Sequence, residues 1–232
     1  MNKPLRPAEH AERLLLEAIL NQEYAPGSAL PAERVLATTL GVTRPTLRET
    51  LQRLSSKGWI TISQGKPTRV NDYLNNGGLA LLGSMVGYGK GLSTSMVAHL
   101  LQVRSVMLPG IARMAAVNDS PSLSDYLKDA PGVGENPRGF AEYDWELQLL
   151  MVTLSDNPVF RFMFNDFTAI YHGFGELYFQ EQPARQSSLA FYRELALSLT
   201  GGEALVEQCV RNAMDTSITI WNSRRNDHVE QD

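Results

Sequence analysis

The stretch from Pro31 to Val70 constrains this chain more than any other. Pro31 suits a first helical turn, having no amide hydrogen to leave unpaired, and opens a short apolar-periodic helix through Ala37 that Gly41 ends. Thr43 can cap the next helix through its hydroxyl, with Pro45 tolerated in that first turn. Leu47, Leu51 and Leu54 then form a buried stripe, and Arg48, Glu49, Gln52 and Arg53 lie on the opposite arc. Two helices across Gly41-Val42-Thr43 make a helix-turn-helix whose second helix is the reader. Trp59-Ile60-Thr61-Ile62, a polar turn at Ser63-Gln64-Gly65-Lys66-Pro67, and Thr68-Arg69-Val70 read as strand, turn, strand. A hairpin bearing Lys66 and Arg69 directly behind a recognition helix is a wing.

Charge supports this reading once it is divided along the chain. The formal net charge is −4, which argues against a nucleic-acid partner when taken as one number. Between Arg34 and Arg69, however, seven basic residues stand against Glu49 alone, giving +6 there and −10 elsewhere. Concentrated positive charge is the footprint of a phosphate-binding face.

At 232 residues two compact domains are expected. The spacing predicts a first helix over 8–23, a winged-helix domain over 1–72 and a polar, glycine-rich linker over 73–78. An all-α bundle is expected over 79–228, with a tail at 229–232, so the fold class is mostly α: an N-terminal winged helix-turn-helix plus a C-terminal helical bundle. Helices are expected over 79–86, 93–117, 121–129, 139–154, 158–179, 185–199 and 202–225, with an exposed loop from Pro131 to Pro137. No stretch reads as a membrane span, and the amino terminus lacks the apolar core of a secretory signal. A single cysteine, Cys209, excludes an internal disulfide and, among Leu205, Val206 and Val210, reads as a small buried side chain. The expected location is cytoplasmic.

The candidate DNA-binding residues are Arg34, Thr43, Arg44, Thr46 and Arg48 at the helix-turn-helix, with Gln64, Gly65 and Lys66 at the wing tip. Arginine reads guanine bidentately, and threonine or backbone amides fix phosphates. In the second half, Phe160, Phe164, Phe167, Tyr171, Phe174 and Tyr178 recur at four- and three-residue steps. Such a seam belongs in a bundle core, yet Gly173 and Gly175 beside it leave room for an apolar ligand. Arg104, among Leu100, Leu101, Val103 and Leu108, needs a partner if buried: a carboxylate or an anionic ligand. On the last helix, Trp221 either stacks on a base or plugs the bundle end, and Arg224 and Arg225 either pair with phosphates or stay in water. His10, set before the first helix, and His99, His172 and His228 lack ligand spacing, so no metal is expected. No serine elbow, phosphate loop or nucleophile–base pair is present, so no enzyme is expected.

Leu30 to Arg34, Gly41 to Glu49 and Gln64 to Thr68 resemble the GntR superfamily of winged-helix regulators. Leu100-Leu101 with Val103-Arg104, Phe140-Ala141-Glu142 with Asp144, Asn157-Pro158, Tyr178-Phe179 and Ile220-Trp221 extend the likeness to its FadR branch, regulators of fatty-acid metabolism. The resemblance implies a homodimer on a palindromic double-stranded operator, released by long-chain acyl-CoA bound in the bundle, with no cofactor. It carries DNA contacts onto Arg34, Thr43, Arg44, Thr46, Arg48, Gly65 and Lys66, and acyl-CoA contacts onto Arg104, Tyr178, Ser217 and Trp221. Met214 replaces a family glycine in that ligand set, Gln64 a wing histidine, and Pro45 a threonine of the recognition turn. The metal-binding branch would show histidine where Gln148 follows Asp144. An alternative is a GntR-type regulator sensing a small metabolic carboxylate.

Overall fold

The computed structural model describes residues 6–79, 81–83, 85 and 94–229, with the side chains at 94, 95, 169, 172, 173 and 225–229 excepted. The chain forms two compact units, Met1–Leu92 and Ser93–Asp232.

In the first unit α1 (Pro7–Leu20) packs against α3 (Arg44–Ser56), with α2 (Glu33–Thr39) completing the helical part. Helix α1 starts earlier than the sequence suggests, because Pro7 fills its first turn and Glu9 accepts from the Arg6 amide at 3.0 Å. His10 lies on the helix, as the expected span 8–23 already requires and against its reading as a residue set before the first helix, and is exposed. Ala11, Leu15, Leu16 and Ile19 supply its buried face against Leu47, Leu51 and Leu54 of α3. Thr50, fully buried, donates to the Ala8 carbonyl at 3.2 Å and locks the two helices in register. Strands β1 (Ile60–Thr61) and β2 (Arg69–Val70) pair antiparallel as the wing. A second edge forms where Ala29 bridges Arg69, so β2 lies between β1 and the segment before α2. Trp59 closes the core at zero exposure, its ring 5.1 Å from Tyr73.

The segment after the wing is not a bare linker. Asp72 caps a single turn, α4 (Tyr73–Asn76), accepting from Asn75 at 3.3 Å. Leu81 is buried and Met85 packed against the winged-helix core, so this stretch adds apolar surface to the first unit. Of the helix expected over 79–86, residues 81–83 and 85 are helical, and 80, 84 and 86 lie outside the described residues.

The second unit contains α5 (Thr94–Leu127), α6 (Pro137–Leu154), α7 (Pro158–Phe179), α8 (Gln182–Ser198) and α9 (Glu203–Val229). Helix α5 breaks at Asp119 (φ −155°, ψ 74°), where its carboxylate accepts from the Ser122 amide at 3.0 Å and the Ser122 hydroxyl at 2.6 Å. It thus behaves as the two helices the sequence predicts, the second capped by Asp119. The stretch Met96–Leu127 is, by length and composition, apolar enough to cross a membrane, contrary to the sequence reading. Here Leu108, Ile111, Ala112 and Ala115 are buried in the bundle core with Phe140, Met151, Tyr192, Val206 and Val210. Asn136 and Asn157 cap α6 and α7, and a proline follows each as the first helical residue.

Cys209 is half-buried rather than fully buried, and desolvation, with Glu194 nearby, pushes its thiol up to about 11. At neutral pH the reactive thiolate is therefore scarce. The thiol is expected to react slowly with Ellman's reagent at pH near 7 and faster as alkalinity approaches that value. Rapid labelling of the native protein at neutral pH would contradict this.

Candidate functional site

The recognition helix is built from its cap outward. Thr43 accepts from the Thr46 amide at 3.4 Å, and the two hydroxyls lie 2.9 Å apart, which pins both at the first turn of α3. Gly41 at φ +66° lets the chain turn between α2 and α3, and Gly65 at φ +72° shapes the wing tip, both in the left-handed region that favours glycine. Arg34, Thr43, Arg44, Arg48, Gly65 and Lys66 are exposed, with Thr46 partly so.

The cations of this unit divide into two sets. Glu12 is wholly buried and is approached by Lys57 at 2.5 Å and Arg53 at 3.8 Å, and Arg53 also meets Glu49 at 2.6 Å. Arg69 donates to the Gly27 carbonyl at 2.8 Å. These side chains hold the domain together, so the local charge of the sequence overstates what faces a duplex. Arg48 is 67% exposed but bound to Glu33 at 2.9 Å, and must exchange that partner to reach a base. Arg34, Arg44 and Lys66 form no ion pair among the described residues.

In the second unit the site grows around one carboxylate. Asp144 on α6, 6% exposed, accepts from Tyr171 of α7 at 2.5 Å, Gln148 at 2.7 Å and Tyr192 of α8 at 3.1 Å. Arg104 of α5 reaches it at 3.6 Å and lies over the Tyr171 ring at 5.6 Å from the centroid. Arg104 is thus the mostly buried charge the sequence suggests, and its partner is a carboxylate. Burial first, then the Asp144 charge, push the Tyr171 and Tyr192 phenols above their ordinary values, so both stay protonated donors.

Arg104, Tyr171 and Tyr178 form a wall between two spaces. On one side lies a cavity lined chiefly by apolar groups, including Leu101, Met107, Phe164, Phe167, Phe174 and Trp221. On the other is a small polar cleft bounded by Ser187, Ser188, Met214 and Ser217. All five expected ligand residues, Arg104, Tyr178, Met214, Ser217 and Trp221, thus line one space or the other. Trp221 is 5% exposed, with Arg224 over its ring, which favours plugging the bundle over stacking on a base. Arg224 meets Glu181 at 3.4 Å and the Leu177 carbonyl at 3.3 Å, while the Arg225 side chain lies outside the described residues.

The aromatic seam splits as its geometry requires. Phe164, Phe167, Tyr171, Phe174 and Tyr178 line the cavity, and Phe160 packs on the core beyond it. Gly175 is where α7 meets α6, since an added Cβ would lie 3.1 Å from the Ala141 Cβ and 2.9 Å from Tyr171. Gly173, His172 and the His228 side chain fall outside the described side chains; His99 is exposed. Among the described residues no cluster of His, Cys, Asp and Glu could hold a metal ion. The sequence reading missed Trp145 and Gln148 as cavity residues and Tyr192 as a partner of Asp144.

A winged reading head joined to a helical unit with an internal cavity defines a one-chain transcription regulator, in which one part grips DNA and the other holds an effector. Comparison with known proteins gives the family. Residues 7–70 match the gntR family of bacterial regulatory proteins, and residues 71–231 match the FadR C-terminal domain. A fatty acid metabolism regulator protein of Serratia proteamaculans (strain 568) is 35% identical over 222 residues, covering 95% of this chain and 93% of that protein. The protein of that name from Yersinia pestis (strain Pestoides F) gives the same identity and coverage. A solved structure of Listeria monocytogenes Lar, described as controlling expression of the agr system, has a TM-score of 0.60 at 17% identity, spanning 96% of this chain and 99% of that one, and supports the fold. The chain belongs to the GntR family of DNA-binding transcription regulators, with an effector-binding domain of the FadR C-terminal type. That is a family of regulators, not of enzymes.

Proposed function

We propose that this chain is an acyl-CoA-responsive regulator of fatty-acid metabolism genes. It acts in the bacterial cytoplasm as a homodimer on a palindromic operator and is released by long-chain acyl-CoA. The observation that carries this reading is the apolar cavity of the effector domain, bounded by Trp221, Phe164 and Phe167 and ending on the Arg104–Tyr171–Tyr178 wall. The names of the Serratia and Yersinia relatives point to the same class of genes. In the DNA-bound form Arg44 and Arg48 read base edges, Thr43 and Thr46 fix phosphates with Arg34, and Gly65 and Lys66 bring the wing to the adjacent groove.

Release requires the ligand to favour the DNA-incompetent state, because equal affinity for both states shifts nothing. Arg104 already faces Asp144, so a small carboxylate entering here meets a neutralised guanidinium beside a buried anion. This weighs against the carboxylate-sensing alternative. The carboxylate of a free fatty acid meets the same cost of burial in an apolar cavity next to Asp144, whereas a thioester brings no charge at that point.

Fluorescence anisotropy of labelled operator tests the proposal. Long-chain acyl-CoA is expected to release DNA, and free fatty acid to do so poorly. Equal release by the free acid, or none by acyl-CoA, would count against it. Trp221→Ala removes a 5%-exposed cavity ring. It is expected to leave operator affinity unchanged while raising the acyl-CoA needed for half-release by roughly tenfold. A variant that responds like wild type would place the ligand elsewhere.

A further inference from the structure

The apolar cavity is not apolar throughout. Four residues of its wall hold a buried polar atom without a hydrogen-bond partner: Arg104 Nε, Tyr178 Oη, Gln148 Oε1 and Trp145 Nε1. The last two, Gln148 and Trp145, are 2% and 3% exposed. They stand three residues apart on α6 and so share a helix face. The orientation of the Gln148 amide is dictated by Asp144. A buried carboxylate can only accept, and Gln148 Nε2 donates to it at 2.7 Å, so the end of the amide left over is an acceptor. The indole nitrogen of Trp145 can only donate.

Buried polar groups in folded proteins are paired almost without exception. Of these four atoms Gln148 Oε1 alone can only accept, and it shares a face of α6 with the indole donor, in a wall otherwise made largely of leucine, valine and aromatic rings; that acceptor narrows the chemistry of what completes the set. A methylene offers nothing to either atom. A thioester carbonyl or a carboxylate accepts but cannot donate, and so satisfies donors such as Trp145 and leaves Gln148 Oε1 unmet. An alcohol does both through one oxygen.

Resting on the reading of this cavity as the acyl site, we propose that it selects acyl chains bearing a hydroxyl group. The hydroxyl proton goes to Gln148 Oε1, and the hydroxyl oxygen accepts from Trp145 Nε1–H. Gln148 is then a specificity-determining residue, set by Asp144 and sensitive to whatever moves the Arg104–Asp144 pair.

Isothermal titration of the purified full-length protein with palmitoyl-CoA, beta-hydroxypalmitoyl-CoA and omega-hydroxypalmitoyl-CoA tests this directly. At least one hydroxylated ligand is expected to bind wild type roughly tenfold or more tighter than palmitoyl-CoA. In Gln148→Leu that preference is lost: the ratio of hydroxylated-ligand to palmitoyl-CoA affinity falls to about one, whatever the affinity for palmitoyl-CoA itself. Gln148→Met serves as a second variant in case leucine disturbs α6, and the wild-type comparison decides if neither folds. Palmitoyl-CoA binding with no advantage for either hydroxylated form, or a preference that survives in a folded Gln148 variant, overturns the hydroxyl assignment alone. Failure of all three ligands to bind overturns the acyl-site reading and this inference with it.

Discussion

Asp144→Ala is expected to destabilise the helical unit by about 3–5 kcal/mol, the usual cost of removing one partner from a buried ion pair. The carboxylate receives groups from four helices: Arg104 of α5, Gln148 of its own α6, Tyr171 of α7 and Tyr192 of α8. Its removal strands a guanidinium that is only 19% exposed, and leaves two phenols and an amide without their acceptor in a medium where each unmade bond is costly. Asp144→Asn keeps the shape and one acceptor oxygen but loses the charge facing Arg104, and should fall between wild type and alanine. Thermal unfolding of the full chain, followed through the transition of the helical unit, measures both. The winged-helix transition should stay where it is, because none of these partners belongs to that unit. An alanine variant that melts with wild type would mean that the network is not structural, and would also remove the reason for fixing the Gln148 amide.

The same network shows where sequence reasoning stops. Features set by near neighbours along the chain were legible: the helix-turn-helix from Gly41 and the Thr43 cap, the wing from Gly65 between two short apolar runs, and the break in α5 between the spans expected over 93–117 and 121–129. The aromatic seam and Arg104 were legible as questions, since a three–four spacing marks a face without saying what opposes it. Asp144 and Tyr192 lie 48 positions apart, and their bond exists only because α6 and α8 are brought together. No periodicity encodes that. Charge misled for a related reason. Glu12 lies outside the basic segment, yet it faces Lys57 and Arg53 across the α1–α3 contact, so part of the apparent DNA-binding charge is internal. Gln148 drew notice only for not being histidine, whereas its hydrogen bond to Asp144 gives it a definite polarity.

The separation of internal from outward cations leads to the second large effect. Arg44→Ala is expected to lower operator affinity by roughly ten- to a hundredfold, equivalent to about 1–3 kcal/mol for one bidentate base contact, while leaving the melting temperature almost unchanged. Arg44 is the first residue of α3, exposed, and outside every ion pair described, so its loss uncovers no buried group and breaks no cap; Thr43 still holds the Thr46 amide. Arg53→Ala should do the reverse, weakening the fold by stripping Glu12 and Glu49 of a partner while touching DNA affinity little. Lys66→Ala separates a phosphate contact from a base contact. It should weaken binding to all sequences alike and reduce the slope of log affinity against log salt by about one, whereas Arg44→Ala should mainly narrow the gap between operator and scrambled DNA. Anisotropy titrations of both duplexes across a salt series resolve the three cases. If Arg44→Ala keeps the wild-type ratio of operator to scrambled affinity, the first turn of α3 does not read sequence, and specificity must come from the wing or from the shape of the duplex.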